Sequence, residues 1–160
     1  IDKIFASSYT NGNILIWDVI EKSVVQVFEN YGEAINTLAF SPNSTIIASA
    51  GNNGIIKLWD YSKKKEIGIL GRHSGSINSI TFNSSGTILA SAGDDCVVKI
   101  WNVKSRELID ILHNHNSKVV SIAYSYDDKF LVSSSKDHVV NLWKNIDLVE
   151  EKVNLNIHYF

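Results

Sequence analysis

The 160-residue chain has no methionine, one cysteine and one proline. The lone Cys96 excludes an internal disulfide and fits a reducing compartment. No apolar run reaches the roughly 18 residues that a membrane-spanning helix needs. Acidic and basic side chains nearly cancel, to a net charge of -2, which gives no support for nucleic acid as the default partner. No glycine-rich phosphate loop stands at a strand-to-helix junction. The opening IDKIFASSYT carries neither the basic flank nor the apolar stretch of a secretion signal. Together with Cys96, this leads to the expectation of an intracellular protein, cytoplasmic or nuclear. The missing methionine, even at position 1, and a start inside a strand-like segment lead to a second expectation, that the sequence is part of a longer chain.

What the chain does contain is a repeat. Its four tryptophans, Trp17, Trp59, Trp101 and Trp143, stand 42 residues apart. Rare residues spaced so evenly mark a repeat architecture. Their contexts agree: NGNILIWD, NGIIKLWD, DCVVKIWN and DHVVNLWK. Upstream segments agree as well, with INTLAFSPNSTIIASAG from Ile35, INSITFNSSGTILASAG from Ile77 and VVSIAYSYDDKFLVSSS from Val119.

Inside each unit the period is two, not 3.6, so the units are built of strands. The pattern predicts strands at 35–40, 46–50, 55–60 and 66–70, then at 77–82, 88–92, 97–101 and 107–112. A third set falls at 119–124, 130–134 and 139–143, with a fourth strand placed near 148–153. Turn-forming clusters separate them: SPNS, NNG, NSSG, GDD and SYDD. Pro42 sits in the first of these, where a missing N–H costs little. A four-stranded antiparallel sheet this small is not self-sufficient and must bury its faces on neighbouring copies. Such sheets repeated radially make a propeller.

With these motifs the sequence resembles the WD-repeat (WD40) family of β-propellers. Trp17-Asp18 and Trp59-Asp60 are literal WD pairs, while Trp101-Asn102 and Trp143-Lys144 depart from the pattern. The fold class expected is therefore all-β, a partial WD40-type propeller of four-stranded blades with a 42-residue period. It would hold the end of one blade at 1–30, blades at about 31–72, 73–114 and 115–156, and the start of another at 157–160, opened by His158. The family commonly closes a ring of seven blades, which needs about 290 residues. The remaining blades are expected in the same parent chain, with completion by a partner as the alternative.

The resemblance also implies an internal polar network in each blade. Its matches are His73, Ser91, Asp95 and Trp101 in one unit, and His115, Ser133, Asp137 and Trp143 in the next. The logic is satisfiability: an indole N–H only donates, a hydroxyl does both, an imidazole does one of each, and a carboxylate accepts. The preceding unit keeps Ser49 and Trp59 but has Tyr31 for His and Asn53 for Asp. Asn11 likewise stands beside Ser7 and Trp17. Those two blades are expected to be less rigid at that rim.

His73, Ser91 and Asp95 superficially match a hydrolase triad, but they recur with tryptophan at the repeat spacing, which explains them without catalysis. His113 and His115 lack further ligands for a metal. Lys63, Lys64 and Lys65 read as a solvated turn. The sequons at 43–45 and 83–85 read as unused. No cofactor is expected. The family's interaction positions match Asn52, Asp94 and Lys136, together with Ser74, Ser76, Asn116 and Lys118 beside the histidines. Tyr9 and Tyr31 are the aromatic side chains expected near this rim, and Asp94 is the residue most expected to face a partner. The resulting expectation is a non-enzymatic scaffold for protein–protein interaction within a larger complex. Alternatives are a nucleic-acid-associated (RNA or ribosome-related) assembly factor, and a regulatory propeller of a multidomain enzyme.

Overall fold

The computed structural model describes residues 3–29, 33–144 and 155–158, the last by backbone alone. The strands form four antiparallel sheets. The first has three: β1 (Ile4–Ser8), β2 (Ile14–Asp18) and β3 (Ser23–Phe28). The second holds β4 (Ile35–Phe40), β5 (Ile46–Gly51), β6 (Ile55–Asp60) and β7 (Lys65–Arg72). The third holds β8 (Ile77–Phe82), β9 (Ile88–Gly93), β10 (Val97–Asn102) and β11 (Leu108–His113). The fourth holds β12 (Val119–Tyr124), β13 (Phe130–Ser135), β14 (Val139–Lys144) and β15 (Leu155–His158). In each sheet the strands pair in chain order. This is an arc of a β-propeller, as the repeat predicts.

The core lies between sheets rather than within one. Ile14, Ile16 and Phe28 of the first sheet bury against Ile47 and Trp59 of the second. Ile56, Leu58 and Leu70 then meet Ile77, Ile80, Leu89 and Trp101. Val98, Ile100 and Leu112 meet Val119, Ile122, Leu131 and Trp143. Each sheet thus offers one face forward and one backward, and period-two alternation supplies both. The tryptophan belongs to the backward face. Its indole lies so close to Gly71 of the preceding sheet that a Cβ there would come within 2.3 Å of the Trp101 ring. In the first sheet the pattern breaks. Phe5 occupies the place of Ile47, Leu89 and Leu131, which are at most 1% exposed, yet it is 48% exposed. It stacks parallel on Trp17 with centroids 5.6 Å apart.

The turns repeat as strictly as the strands. Left-handed backbone recurs at Gly12, Gly54, Cys96 and His138, and again at Lys22, Lys64 and Arg106. Each set keeps the 42-residue spacing although the residue types differ. The second set explains the aspartate of the WD pair. Asp18 Oδ1 accepts from the N–H groups of Ile20 and Glu21, and Asp60 Oδ1 from those of Ser62 and Lys63. Asn102 Oδ1 does the same for Lys104 and Ser105, at 3.0 and 2.9 Å. An amide carbonyl replaces the carboxylate here without loss of geometry. Lys144 has no acceptor and cannot build this turn.

The expected strand at 148–153 lies outside the described residues, and the fourth strand of the last sheet is instead β15, at 155–158. His158 pairs with Val139 as His113 pairs with Val97 and Arg72 with Ile55. It therefore ends a sheet rather than opening the next one, and the expected boundary at 156 falls inside β15.

Cys96 and His138 bear side chains at a position where the chain elsewhere uses glycine. Cys96→Gly is expected to raise stability by about 0.5–1 kcal/mol, since αL backbone strain outweighs the added chain entropy. Gly93→Ala should act oppositely, because its Cβ would lie 2.0 Å from the Ser76 carbonyl oxygen. Denaturant unfolding of both variants checks the two signs.

Candidate functional site

In the third sheet the residues paired by repeat spacing meet. Trp101 Nε1–H donates to Ser91 Oγ at 2.8 Å. Ser91 Oγ lies 2.7 Å from His73 Nε2, and His73 Nδ1 lies 2.8 and 3.0 Å from the two Asp95 oxygens. The donor count assigns the protons. The indole must donate, so the Ser91 hydroxyl gives its own proton to Nε2, and the Nδ1–H donates to Asp95. Asp95 also accepts from the Ser74 N–H at 3.2 Å. The fourth sheet repeats the chain with Trp143, Ser133, His115 and Asp137 at 2.9, 2.8 and 3.1 Å, and the Asn116 N–H caps Asp137 at 2.8 Å. Asn141, buried in this sheet, adds a contact from its Nδ2 to His115 Nε2 at 3.1 Å.

Burial pushes the His73 pKa below its ordinary 6.5, outweighing the opposing pull of Asp95, so the ring stays neutral. Burial works against ionisation of Asp95, yet the His73 hydrogen bond leads the contacts that hold its pKa below the usual range. Asp137 is also penalised by burial. The Asn116 and Val139 N–H groups and His115 nevertheless bring it down to about 2.

The order Ser–His–Asp matches that of a hydrolase triad, but Ser91 and Ser133 are 0% exposed. Each serine oxygen already receives an indole N–H. A nucleophile needs a substrate within reach and an oxyanion site beside it, and a wholly buried hydroxyl offers neither. Among the described residues no three His, Cys, Asp or Glu side chains gather as a metal site. His115 is buried in the network while His113 is exposed.

Among the described residues the first two sheets show the indole–serine half of this network. Trp59 donates to Ser49 at 2.8 Å and Trp17 to Ser7 at 2.9 Å. Asn53 Oδ1 turns back to accept from the Ile55 N–H at 2.9 Å, and Asn11 does likewise for Asn13. Tyr31 lies outside the described residues.

Along the same rim, polar side chains from successive sheets converge. Asn52 Oδ1 accepts from Asn36 Nδ2 at 3.0 Å and from Ser76 Oγ at 3.3 Å. One sheet further on, Asp94 pairs with Lys118 and accepts from Asn78 Nδ2 at 3.0 Å. These bonds, Lys118 first, keep the Asp94 carboxyl below its usual pKa. Asp94 is therefore one half of an ion pair rather than a lone acid. Ser74 and Asn116 serve the network carboxylates through their backbone, and Lys136 is exposed at the rim. Tyr9 is 47% exposed on the first sheet.

Sequence reasoning passed over Asn36 and Asn78. Their Nδ2 groups also donate to the backbone carbonyls of Ile77 and Val119 on the following sheet, at 3.0 and 2.9 Å. The signal was an Ile-Asn pair repeated at the 42-residue spacing. Val120 holds the same place in the fourth sheet and is 40% exposed.

The family model described as WD domain, G-beta repeat matches residues 22–60, 64–102 and 106–144, well over half of the chain. The chain belongs to the WD40 family. Repeats of this family generally mediate protein–protein interaction and are typically non-catalytic modules. No curated protein matches the chain. Each matched WD40 repeat starts at the last strand of one sheet and ends at the third strand of the next, so one repeat joins two sheets.

Asp95→Ala leaves the His73 Nδ1–H without its acceptor and should cost about 1–3 kcal/mol of unfolding free energy. An unchanged denaturation midpoint would remove the network from the account of stability. The pH response follows from the same groups. His73 has a folded pKa below its unfolded one, so its contribution is present above about pH 6.5 and is lost as the pH falls from there. Asp95 and Asp137 are likewise depressed, and their contribution is lost as the pH falls below about 4, for Asp137 down towards 2. Thermal unfolding followed from pH 8 to pH 3 is expected to show this two-stage decline.

Proposed function

We propose that the chain acts as a non-enzymatic scaffold that holds partner proteins in a complex, inside the cell. The observation carrying this reading is the rim where Asn36, Asn52 and Ser76 meet and where Asn78, Asp94 and Lys118 meet. Side chains from different sheets are fixed relative to one another there, on a frame that the buried networks stiffen. Preorganised polar groups lower the ordering cost of binding. Exposed Lys136 and the Lys118–Asp94 pair supply charge whose sign a partner can match, which sets association rate and register more than raw affinity.

The test is affinity capture with the intact protein and with its Lys118→Glu, Lys136→Glu double variant. Partners held through this rim are expected to be lost or to associate at least about tenfold more slowly. Retention of every captured partner, at unchanged salt sensitivity, would remove this rim as the binding face.

A further inference from the structure

At the opposite rim, the turns that join the first and second strands of three successive sheets enclose a groove of about 510 Å³. Its apolar lining comes from Pro42, Phe82, Tyr124 and Tyr126, and its polar wall from Ser84 and Asp128. Tyr126 stands at the apex of its turn with its side chain fully in solvent (101% relative exposure). A tyrosine ring left so open at a groove edge offers a flat π-face, and Tyr is among the residues enriched at binding hot spots.

The walls are fixed. Asn43 Nδ2 donates to the Ser84 carbonyl at 3.0 Å, lacing the first turn to the second. The Ser84 N–H donates to both oxygens of Asp128 at 2.9 and 3.0 Å, and the Ser84 hydroxyl donates to Oδ2 at 2.5 Å, lacing the second to the third. Asp128 is thereby held on the wall by neutral donors, with no cation among the residues lining the groove. A carboxylate has about four lone-pair sites, so further acceptor capacity remains. Asp127 beside it faces Lys129, at 3.1 Å, and accepts from Ser125. The groove therefore joins an aromatic face and apolar floor to one carboxylate without a counter-ion.

We propose that this groove takes an arginine side chain presented on an extended partner segment with apolar neighbours. A planar guanidinium stacks on an aromatic face while one of its N–H groups donates to the lone pair that Asp128 Oδ1 keeps after the Ser84 contacts, and it sheds water more readily than an ammonium. The flanking apolar residues seat on Pro42 and Phe82. This surface is distinct from the rim assigned to scaffolding above, and the two fail or stand separately.

The probe is a blocked Leu-Arg-Leu pentapeptide with glycine ends, titrated into the isotope-labelled intact protein by NMR. Saturable shifts are expected at Tyr126 and Ser84. The citrulline counterpart, equal in shape but uncharged, should bind about tenfold more weakly, and the lysine counterpart severalfold more weakly. Tyr126→Ala, at a fully exposed site that the fold does not use, should weaken the arginine peptide about fivefold or more. Asp128→Asn, in which asparagine tolerates the left-handed backbone, should do the same. Equal binding of the citrulline peptide would make the groove a merely apolar seat and overturn the proposal. Unchanged binding to Tyr126→Ala, or no saturation at millimolar peptide, would overturn it too. So would concentration-dependent shifts at Tyr126 without peptide, which would make a second copy of the chain the occupant.

Discussion

In all four sheets an indole N–H reaches a serine hydroxyl 2.8 to 2.9 Å away, from Trp17 to Ser7 through Trp143 to Ser133. This contact lets a large aromatic ring enter a dry interface between sheets, since an indole N–H buried without an acceptor costs a few kcal/mol. Once the ring is in place it spaces the sheets. Trp101 lies close against the backbone at Gly71, and aliphatic side chains pack beside it in the same core. Because the tryptophan and the serine lie on adjacent, paired strands, the bond also fixes their register. A one-residue slip would turn both side chains to the wrong face.

The serine oxygen is then the junction from which further order is built, and the sheets differ in how far it extends. In the third and fourth the hydroxyl proton continues to an imidazole and on to a carboxylate. The loop crossing from one sheet to the next is thereby clamped to the turn it passes. The low dielectric of that site cuts both ways: each bond is stronger for being buried, and each missing partner is costlier. Asn53 and Asn11 take another course. Their carbonyl oxygens accept from the N–H groups of Ile55 and Asn13. Among the described residues the clamped loops are those around His73 and His115.

Much of this was legible in the sequence because the repeat made each residue its own control. Ser91, lined up with Ser7, Ser49 and Ser133, reads as part of the indole network. The strands of the second and third sheets fell within two residues of their expected ends, since alternation and turn residues both report on local geometry. What escaped was either long-range or conformational. Nothing in Asp94 alone announces that Lys118, 24 positions on, neutralises it. The left-handed backbone at Cys96 and His138 is invisible in residue types that rarely adopt it, and appears only by alignment with Gly12 and Gly54. Tyr126 was quoted within a turn signal, and its exposure depends on where Pro42 and Phe82 of other sheets come to lie.

The offset between repeat and sheet ties these observations together. Each WD40 repeat contributes its first strand to one sheet and its other three to the next. In the repeats at 64–102 and 106–144 the covalent link between those parts is the loop that carries His73 or His115. If repeat and sheet coincided, neighbouring sheets would be held by side-chain packing alone and joined through an unconstrained linker. With the offset, peeling two sheets apart must also pull a histidine from its serine and carboxylate, or unzip an outer strand. The amide ties from Asn36 to Ile77 and from Asn78 to Val119 add a bond of the same kind at the inner edge. Arg106 adds another at the outer edge, donating to the Ile67 carbonyl at 3.1 Å. The second and third sheets are therefore fastened at the inner strand, through the core and at the outer strand. A frame fastened at three radii has little freedom to twist, which is what allows short turns at both rims to hold side chains from different sheets in fixed relation.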